Sequence, residues 1–247
     1  MSTFSRQSEF WNAEARERKG LVGDQLNRPK VVWSMGDLQG QKVLEAGCGN
    51  GYVAKHLAAR GAEVYGIEQD AKLIEGAVGK PIIRYQQGNV ENLPYRDGFF
   101  DWVTSVSVLP YVSMESMSHI FENMQRVLKP GGRAIVSVTH PDMYRAESPA
   151  RSSDPCWIHY TNPRISGDGE RMWTQEYFNA DGQSSVLDVY DHSFEAYLTS
   201  AVRTGLLLTK IWSEIFPERL ASVRYGTAFG YPCYLFMEFR KGEWCSD

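Results

Sequence analysis

Lys42-Val43-Leu44-Glu45-Ala46-Gly47-Cys48-Gly49-Asn50-Gly51 decides how the rest of the 247-residue chain is read. The first five residues predict a buried strand, and the glycines behind them predict a tight turn. Residues 52–60 carry Val53, Leu57 and Ala58 on one helical face, and Gly61 stops that helix. Glu63-Val64-Tyr65-Gly66-Ile67-Glu68 then predicts a second strand. Strand, glycine turn, helix and strand form a βαβ unit, which requires a parallel sheet with a right-handed crossover.

The alternation continues outward. A helix is predicted over 71–78, stopped by Gly79 and Pro81, with strands over 82–87 and 100–106. Ile120, Met124, Val127 and Leu128 share one face of a long helix over 113–128. Lys129-Pro130-Gly131-Gly132 breaks that helix and sets up a fifth strand over 133–139. Upstream, a short amphipathic helix over 5–19 carries Phe10 and Trp11, and a second helix spans about 24–36. Downstream, residues 141–191 lose regular periodicity and collect aromatics: Tyr144, Trp157, Tyr160, Trp173, Tyr177, Phe178 and Tyr190. So long an irregular piece is more often a functional cap than a passive loop. A helix at about 193–204 and strands at about 206–214 and 233–240 close the chain, the strands as an antiparallel pair at one sheet edge. Four segments result: an N-terminal helical cap (1–40), a core (41–140), a cap insertion (141–191) and closing elements (192–247).

Composition excludes several classes. With 43% hydrophobic residues the chain can bury a core, so bulk disorder is ruled out. A formal charge of −4 without a Lys/Arg block argues against nucleic-acid and acidic-membrane partners. Cys48, Cys156, Cys233 and Cys245 form neither a metal-ligand spacing nor a disulfide framework. No stretch reaches the ~18 apolar residues of a membrane span, and the N-terminus has no apolar leader, so the cytoplasm is the expected address.

Glycines between a strand and a helix let a ligand approach the backbone and aim helix N–H groups at it. Glu68, 21 positions after Gly47, has the spacing at which a carboxylate meets ribose hydroxyls in doubly wound folds. A dinucleotide fingerprint needs its third glycine where Tyr52 stands, and Glu45 would repel a pyrophosphate but attract an ammonium group. A cofactor bearing both adenosine and a cation is therefore favoured over NAD.

Five segments, in order over about 41–140, resemble the class I S-adenosylmethionine-dependent methyltransferases, in particular the small-molecule group called methyltransferase type 11. They are Val43 to Gly51, Val64-Tyr65-Gly66-Ile67-Glu68, Gly88-Asn89-Val90-Glu91-Asn92-Leu93-Pro94-Tyr95, Phe99-Phe100-Asp101-Trp102-Val103 and Arg126-Val127-Leu128-Lys129-Pro130-Gly131-Gly132-Arg133. The resemblance implies a doubly wound, Rossmann-like α/β fold: a mostly parallel seven-stranded sheet with an antiparallel closing strand, here with an aromatic-rich cap insertion. It implies S-adenosylmethionine as cofactor, S-adenosylhomocysteine as product and no metal. Glu45, Gly47, Cys48 and Gly49 would face the methionine part, with Ser105 nearby. Glu68 would hold the ribose hydroxyls, Gln69 would lie beside the adenine, and Asn89 and Val90 would address its edge. Asn89 departs from the usual Asp of the family, but its amide oxygen can still meet the adenine amino group.

Methyl transfer needs the acceptor placed close and dry, and a base only if the nucleophile must lose a proton. His140, ending the fifth strand, and His192, opening the helix after the cap, are the candidate bases, with His159 inside the cap as a third. His56 and His119 read as surface residues of sheet-flanking helices. The cap reads either as a lid that excludes water around the acceptor or as a satellite core over the sheet edge. After the fourth strand there is no Asn/Asp-Pro-Pro-aromatic motif, and Ser105 stands where a metal-assisted mechanism wants a carboxylate. The expected activity is transfer to O or N, less readily C, of a small-molecule acceptor. A protein or peptide methyltransferase and a cofactor-binding scaffold without turnover are the alternatives.

Overall fold

The computed structural model describes residues 26–78, 82–144, 158–178, 184–215 and 230–242. The predicted helix over 5–19, with Phe10 and Trp11, lies outside them. The elements are α1 (Arg28–Ser34), β1 (Lys42–Ala46), α2 (Tyr52–Ala58), β2 (Glu63–Glu68), α3 (Ala71–Glu75), β3 (Arg84–Gln87), β4 (Phe100–Val106), α4 (Met114–Val127) and β5 (Leu128–Thr139). They continue with β6 (Ile158–Ile165), β7 (Arg171–Phe178), β8 (Ser184–Tyr190), α5 (Phe194–Val202), β9 (Leu206–Ile215) and β10 (Pro232–Lys241).

Seven strands form one sheet in the order β3-β2-β1-β4-β5-β10-β9. The first four pairings are parallel, and β10 runs antiparallel to both neighbours. The order reverses between β1 and β4, and ligands bind at the carboxyl ends of strands beside such a switch point. Both faces of β1 and β4 are covered, so Val43, Leu44, Ala46, Phe100, Trp102 and Val103 are all buried, with Glu45, Thr104 and Ser105 as buried polar exceptions. On one face Val31 and Val32 of α1, with Met35 just after it, pack with Val53, Ala54 and Leu57 of α2. On the other, Met117, Ile120, Phe121 and Met124 of α4 pack with Tyr197 and Ala201 of α5.

Differences from the sequence reading are mostly at element ends. The third strand is shorter than predicted, because Ile82 is exposed and only Arg84–Gln87 pair with β2. The aromatic stretch differs more: β6, β7 and β8 form a three-stranded antiparallel sheet. Ser185, Leu187 and Val189 of β8 alternate inward, as do Trp173 and Gln175 of β7. Tyr144, Tyr160 and Trp173 are buried in the same cluster as α1 and α2, so part of the cap is core. Trp157 and the side chains of His159, Tyr177 and Phe178 lie outside the description.

Candidate active site at the carboxyl end of the sheet

Gly47, Gly49 and Gly51 adopt φ of +79°, +53° and +77°, the left-handed region that glycine enters without penalty. The Gly47 and Cys48 N–H groups both donate to the Ile67 carbonyl, at 2.9 and 3.0 Å, so the turn is tied to the end of β2. A Cβ on Gly47 would lie 2.4 Å from Cγ2 of Val108, whereas one on Gly49 would meet nothing within 4 Å. The turn is thus closely packed below and open at Gly49.

Two buried acids flank it. Glu45 accepts a hydrogen bond from the Ala54 N–H at 2.7 Å, which anchors the first turn of α2. Glu68 accepts from the Gly49 N–H at 3.0 Å and from the Asp70 N–H at 3.1 Å. Burial pushes the Glu68 carboxyl above the usual carboxylate range, and its bonds to backbone N–H groups oppose that shift. Cys48 is raised well above the usual thiol range, first by burial and then by Glu45 and Glu68. A thiol held neutral in this way is a packed small residue and a poor nucleophile.

The remaining predicted cofactor residues sit around the same edge. Gln69 is exposed after β2, its carbonyl accepting from the Gln87 side chain at 3.1 Å. Asn89 is exposed after β3, and its Oδ1 accepts from the Glu91 N–H at 3.0 Å, shaping a local turn. That oxygen has a second lone pair for a ligand. Val90 is half-buried and packs on the α4 side. Ser105 is buried near the end of β4, and its Oγ is among the buried hydroxyls without a hydrogen-bond partner.

His140 is half-buried. Its Nδ1 accepts from the Asp142 N–H at 3.2 Å and lies 3.7 Å from the Asp142 carboxylate. His192 is 3% exposed, its ring stacked on Tyr190 and set edge-on to Tyr197. Its Nε2 lies 2.8 Å from the Val112 carbonyl, which can only accept, so Nε2 carries the proton. Nδ1 is 3.7 Å from Glu170, whose other oxygen accepts from the Met114 N–H at 2.8 Å. His192 and Glu170 therefore join the cap to the loop after β4. The sequence put His140 forward ahead of His192, and the geometry gives the two different surroundings.

Burial lowers the His192 pKa below the usual imidazole range, against the opposing pull of the Val112 carbonyl and Glu170. A depressed folded-state pKa means full stability above the unfolded value, ~6.5, and progressive loss as pH falls toward the folded value. We expect the thermal midpoint to decline as pH is lowered below ~6.5. His192→Gln should flatten the part of that decline between ~6.5 and ~5, before carboxylates titrate. Parallel curves for the two proteins would contradict the assignment.

Other residues of the site were not anticipated. Tyr111 donates to Gln175 Oε1 at 2.9 Å, and the Gln175 amide donates to the Tyr160 hydroxyl at 2.6 Å, a polar chain from the loop after β4 into the cap. Ser107, at φ +57°, receives a hydrogen bond from buried Asn27 at 2.9 Å. Tyr85 closes over Gly51 and donates to the Val78 carbonyl at 2.7 Å. The aromatics carry a visible signal as tyrosines beside predicted loops, whereas Asn27 and Gln175 have none, because nothing in the sequence marks a buried amide.

Glycine turn, acid at the end of the second strand and reversed strand order together mark a doubly wound fold, with its ligand edge at the carboxyl ends of β1 and β4. Residues 44–136 match the family described as the methyltransferase domain. An uncharacterized methyltransferase of Synechocystis is 38% identical over 104 residues, covering 41% of this chain and 49% of that relative. A ubiquinone biosynthesis O-methyltransferase of Acinetobacter baumannii is 34% identical over 127 residues, 46% of this chain and 51% of the relative. A malonyl-[acyl-carrier protein] O-methyltransferase of Erwinia billingiae is 34% identical over 140 residues, 56% and 53%. The matches thus span about half the length of these curated relatives. In fold, the S-adenosylmethionine dependent methyltransferase of Mesorhizobium loti superposes with a TM-score of 0.62 at 21% identity, over 85% of this chain and 96% of that one. An S-adenosylmethionine-dependent methyltransferase of Clostridium acetobutylicum gives 0.65 at 11% identity, over 97% of this chain and 99% of that one. This chain thus matches the methyltransferase domain over residues 44–136, on the fold of solved methyltransferases whose named cofactor is S-adenosylmethionine.

The residues present fit that cofactor. The turn is open where Gly49 lacks a side chain, a carboxylate ends β2, and the Ser105 hydroxyl lacks a partner. Among the described residues no cluster of His, Cys, Asp or Glu could hold a metal, and no helix is long and apolar enough to cross a membrane.

Proposed function

We propose that the protein methylates an oxygen or nitrogen atom of a small metabolite, and that the cap holds the acceptor. The observation that carries this reading is the buried Glu68 carboxylate bonded to the Gly49 N–H, which puts an acid for ribose hydroxyls against the open part of the glycine turn. Glu45, Gly47, Cys48, Gly49 and Ser105 would hold the methionine part. Gln69, Asn89 and Val90 would line the adenine end. The cofactor supplies an electrophilic methyl group on sulfur, and the protein supplies placement and a dry site.

Two of the named relatives are O-methyltransferases, which supports oxygen as the accepting atom. The buried aromatics Tyr144, Tyr160 and Trp173 support a cap rigid enough to orient an acceptor. His140 is the better-placed base, half-buried at the end of β5 with Asp142 beside it. With Nδ1 accepting from the Asp142 N–H, the neutral ring carries its proton on Nε2. Taking a proton there requires the other tautomer, with Nδ1–H turned to the Asp142 carboxylate. That tautomer gives up the Asp142 N–H bond, worth about 0.5–1.5 kcal/mol, and gains the pull of the carboxylate, 3.7 Å away. His192, enclosed by two tyrosines and bonded to Val112, serves by fixing the loop after β4.

The test is acceptor-dependent formation of S-adenosylhomocysteine from a panel of small hydroxyl and amine compounds. With the acceptor so found, His140→Ala should lower kcat by about 10²-fold or more, as for loss of a general base, and leave cofactor affinity unchanged. A variant with the full rate would leave proximity as the whole of catalysis. If product forms only with protein substrates, the small-molecule reading fails.

A further inference from the structure

The segment Arg126-Val127-Leu128-Lys129-Pro130-Gly131-Gly132-Arg133 enters the sequence reading as the fifth family-like motif, with Lys129 to Gly132 read as a helix stop and turn. In the structure its first residue does something else. The Arg126 guanidinium donates to the carbonyls of Tyr95 at 2.6 Å and Leu93 at 2.7 Å, and to Asp97 Oδ1 at 2.9 Å. It also donates to Asn123 Oδ1 at 2.9 Å, one turn earlier on α4. Asn123 in turn accepts from the Leu93 N–H at 3.2 Å and donates to the Glu91 carbonyl at 2.7 Å. One face of α4 thus holds backbone groups of Glu91, Leu93 and Tyr95 in the loop that follows β3. That loop begins at Asn89 and Val90, and the Asn92 N–H donates back to the Asn89 carbonyl at 3.1 Å.

We propose that Arg126 and Asn123 are positioning residues for the adenine end of the cofactor site. They act through the loop 89–97 and touch no ligand themselves. The inference rests on the cofactor reading above. Three side-chain-to-carbonyl bonds fix a stretch that has no ladder of its own, while buried Leu93 with half-buried Val90 and Tyr95 seats it on the core. The loop's return into β4 is secured separately, by the Gly98 N–H to the Arg126 carbonyl at 3.1 Å and the Phe99 N–H to the Val127 carbonyl at 2.8 Å. Truncating the two side chains therefore releases the loop and leaves the strand pairing in place. A binding-competent fraction cut to one tenth raises the apparent Kd tenfold.

The test measures S-adenosylhomocysteine affinity and amide hydrogen exchange for the wild type, Arg126→Ala, Asn123→Ala and Arg126→Lys. We expect Kd to rise about tenfold in Arg126→Ala, with partial recovery in Arg126→Lys, which keeps one charged donor. Exchange should rise over 89–97 while residues 100–106 stay protected, a local pattern that general destabilisation does not produce. Should Arg126→Ala unfold, Asn123→Ala and Arg126→Lys carry the same comparison. Wild-type affinity in variants with a loosened loop, or exchange raised evenly across the sheet, would overturn the proposal. A wild-type protein that binds no S-adenosylhomocysteine would instead overturn the cofactor reading beneath it.

Discussion

Glu68→Ala should weaken S-adenosylmethionine binding by about 2–3 kcal/mol, roughly 30- to 150-fold, the cost of leaving hydrogen bonds to a buried charge unmade. In the free protein this carboxylate accepts from Gly49 and Asp70, so truncation strands two backbone donors as well. A stability loss of about 1–3 kcal/mol accompanies the binding loss for that reason. Glu68→Gln separates the two effects, since its amide oxygen still satisfies one N–H but offers no charge to ribose hydroxyls. We expect Glu68→Gln to recover much of the thermal midpoint and little of the affinity. The pH dependence has a fixed sign. Burial raises the Glu68 pKa, and ribose hydroxyls need the ionised form, so affinity is level at high pH and falls as pH is lowered through the raised value. The fall begins above the ~4.3 of an ordinary Glu. Calorimetry on the three proteins at several pH values checks all of this, and unchanged affinity in Glu68→Ala would remove Glu68 from the site.

The second large effect comes from contrasting two glycines of one turn. Gly47→Ala must hold φ near +79° and place a methyl 2.4 Å from Val108 Cγ2. The left-handed backbone costs about 1–2 kcal/mol and overpacking against Val108 about 1–3 more, so a stability loss of about 2–5 kcal/mol is expected. Gly49→Ala has the same backbone penalty, but its methyl meets nothing within 4 Å. It should cost only about 1–2 kcal/mol of stability. That methyl projects into the open space over the turn, so binding suffers more than folding. Thermal melts paired with cofactor titrations decide the matter. Equal losses of stability in the two variants, or normal binding by Gly49→Ala, would contradict the proposed geometry of the turn.

The core was legible because its signals are local and mutually consistent. A strand buried on both faces is rich in apolar and β-branched residues, and Phe100–Val106 forms as read. Gly47, Gly49 and Gly51 all take the positive φ for which a strand-to-helix turn requires glycine. The cap was not legible as strands, because its inward positions include Gln175 and Ser185, which blunt the period-2 pattern. Gln175 is buried only because Tyr111 and Tyr160 complete its hydrogen bonds, a pairing across 64 and 15 residues that no window reveals. His192 fails as a simple pattern for a similar reason. A histidine at a helix start reads as a candidate base until Val112, 80 residues earlier, takes its ring N–H. Arg126 was legible only as the first residue of the fifth motif, because its partners are backbone carbonyls, which sequence does not distinguish.

The most direct test of the account is calorimetric titration of the purified protein with S-adenosylmethionine, S-adenosylhomocysteine and NAD in parallel. The account predicts saturable binding of the two adenosyl ligands in the micromolar range, about −8 kcal/mol, with NAD silent. Binding of NAD instead, or of none of the three, would mean that glycine turn and buried acid mark only the fold.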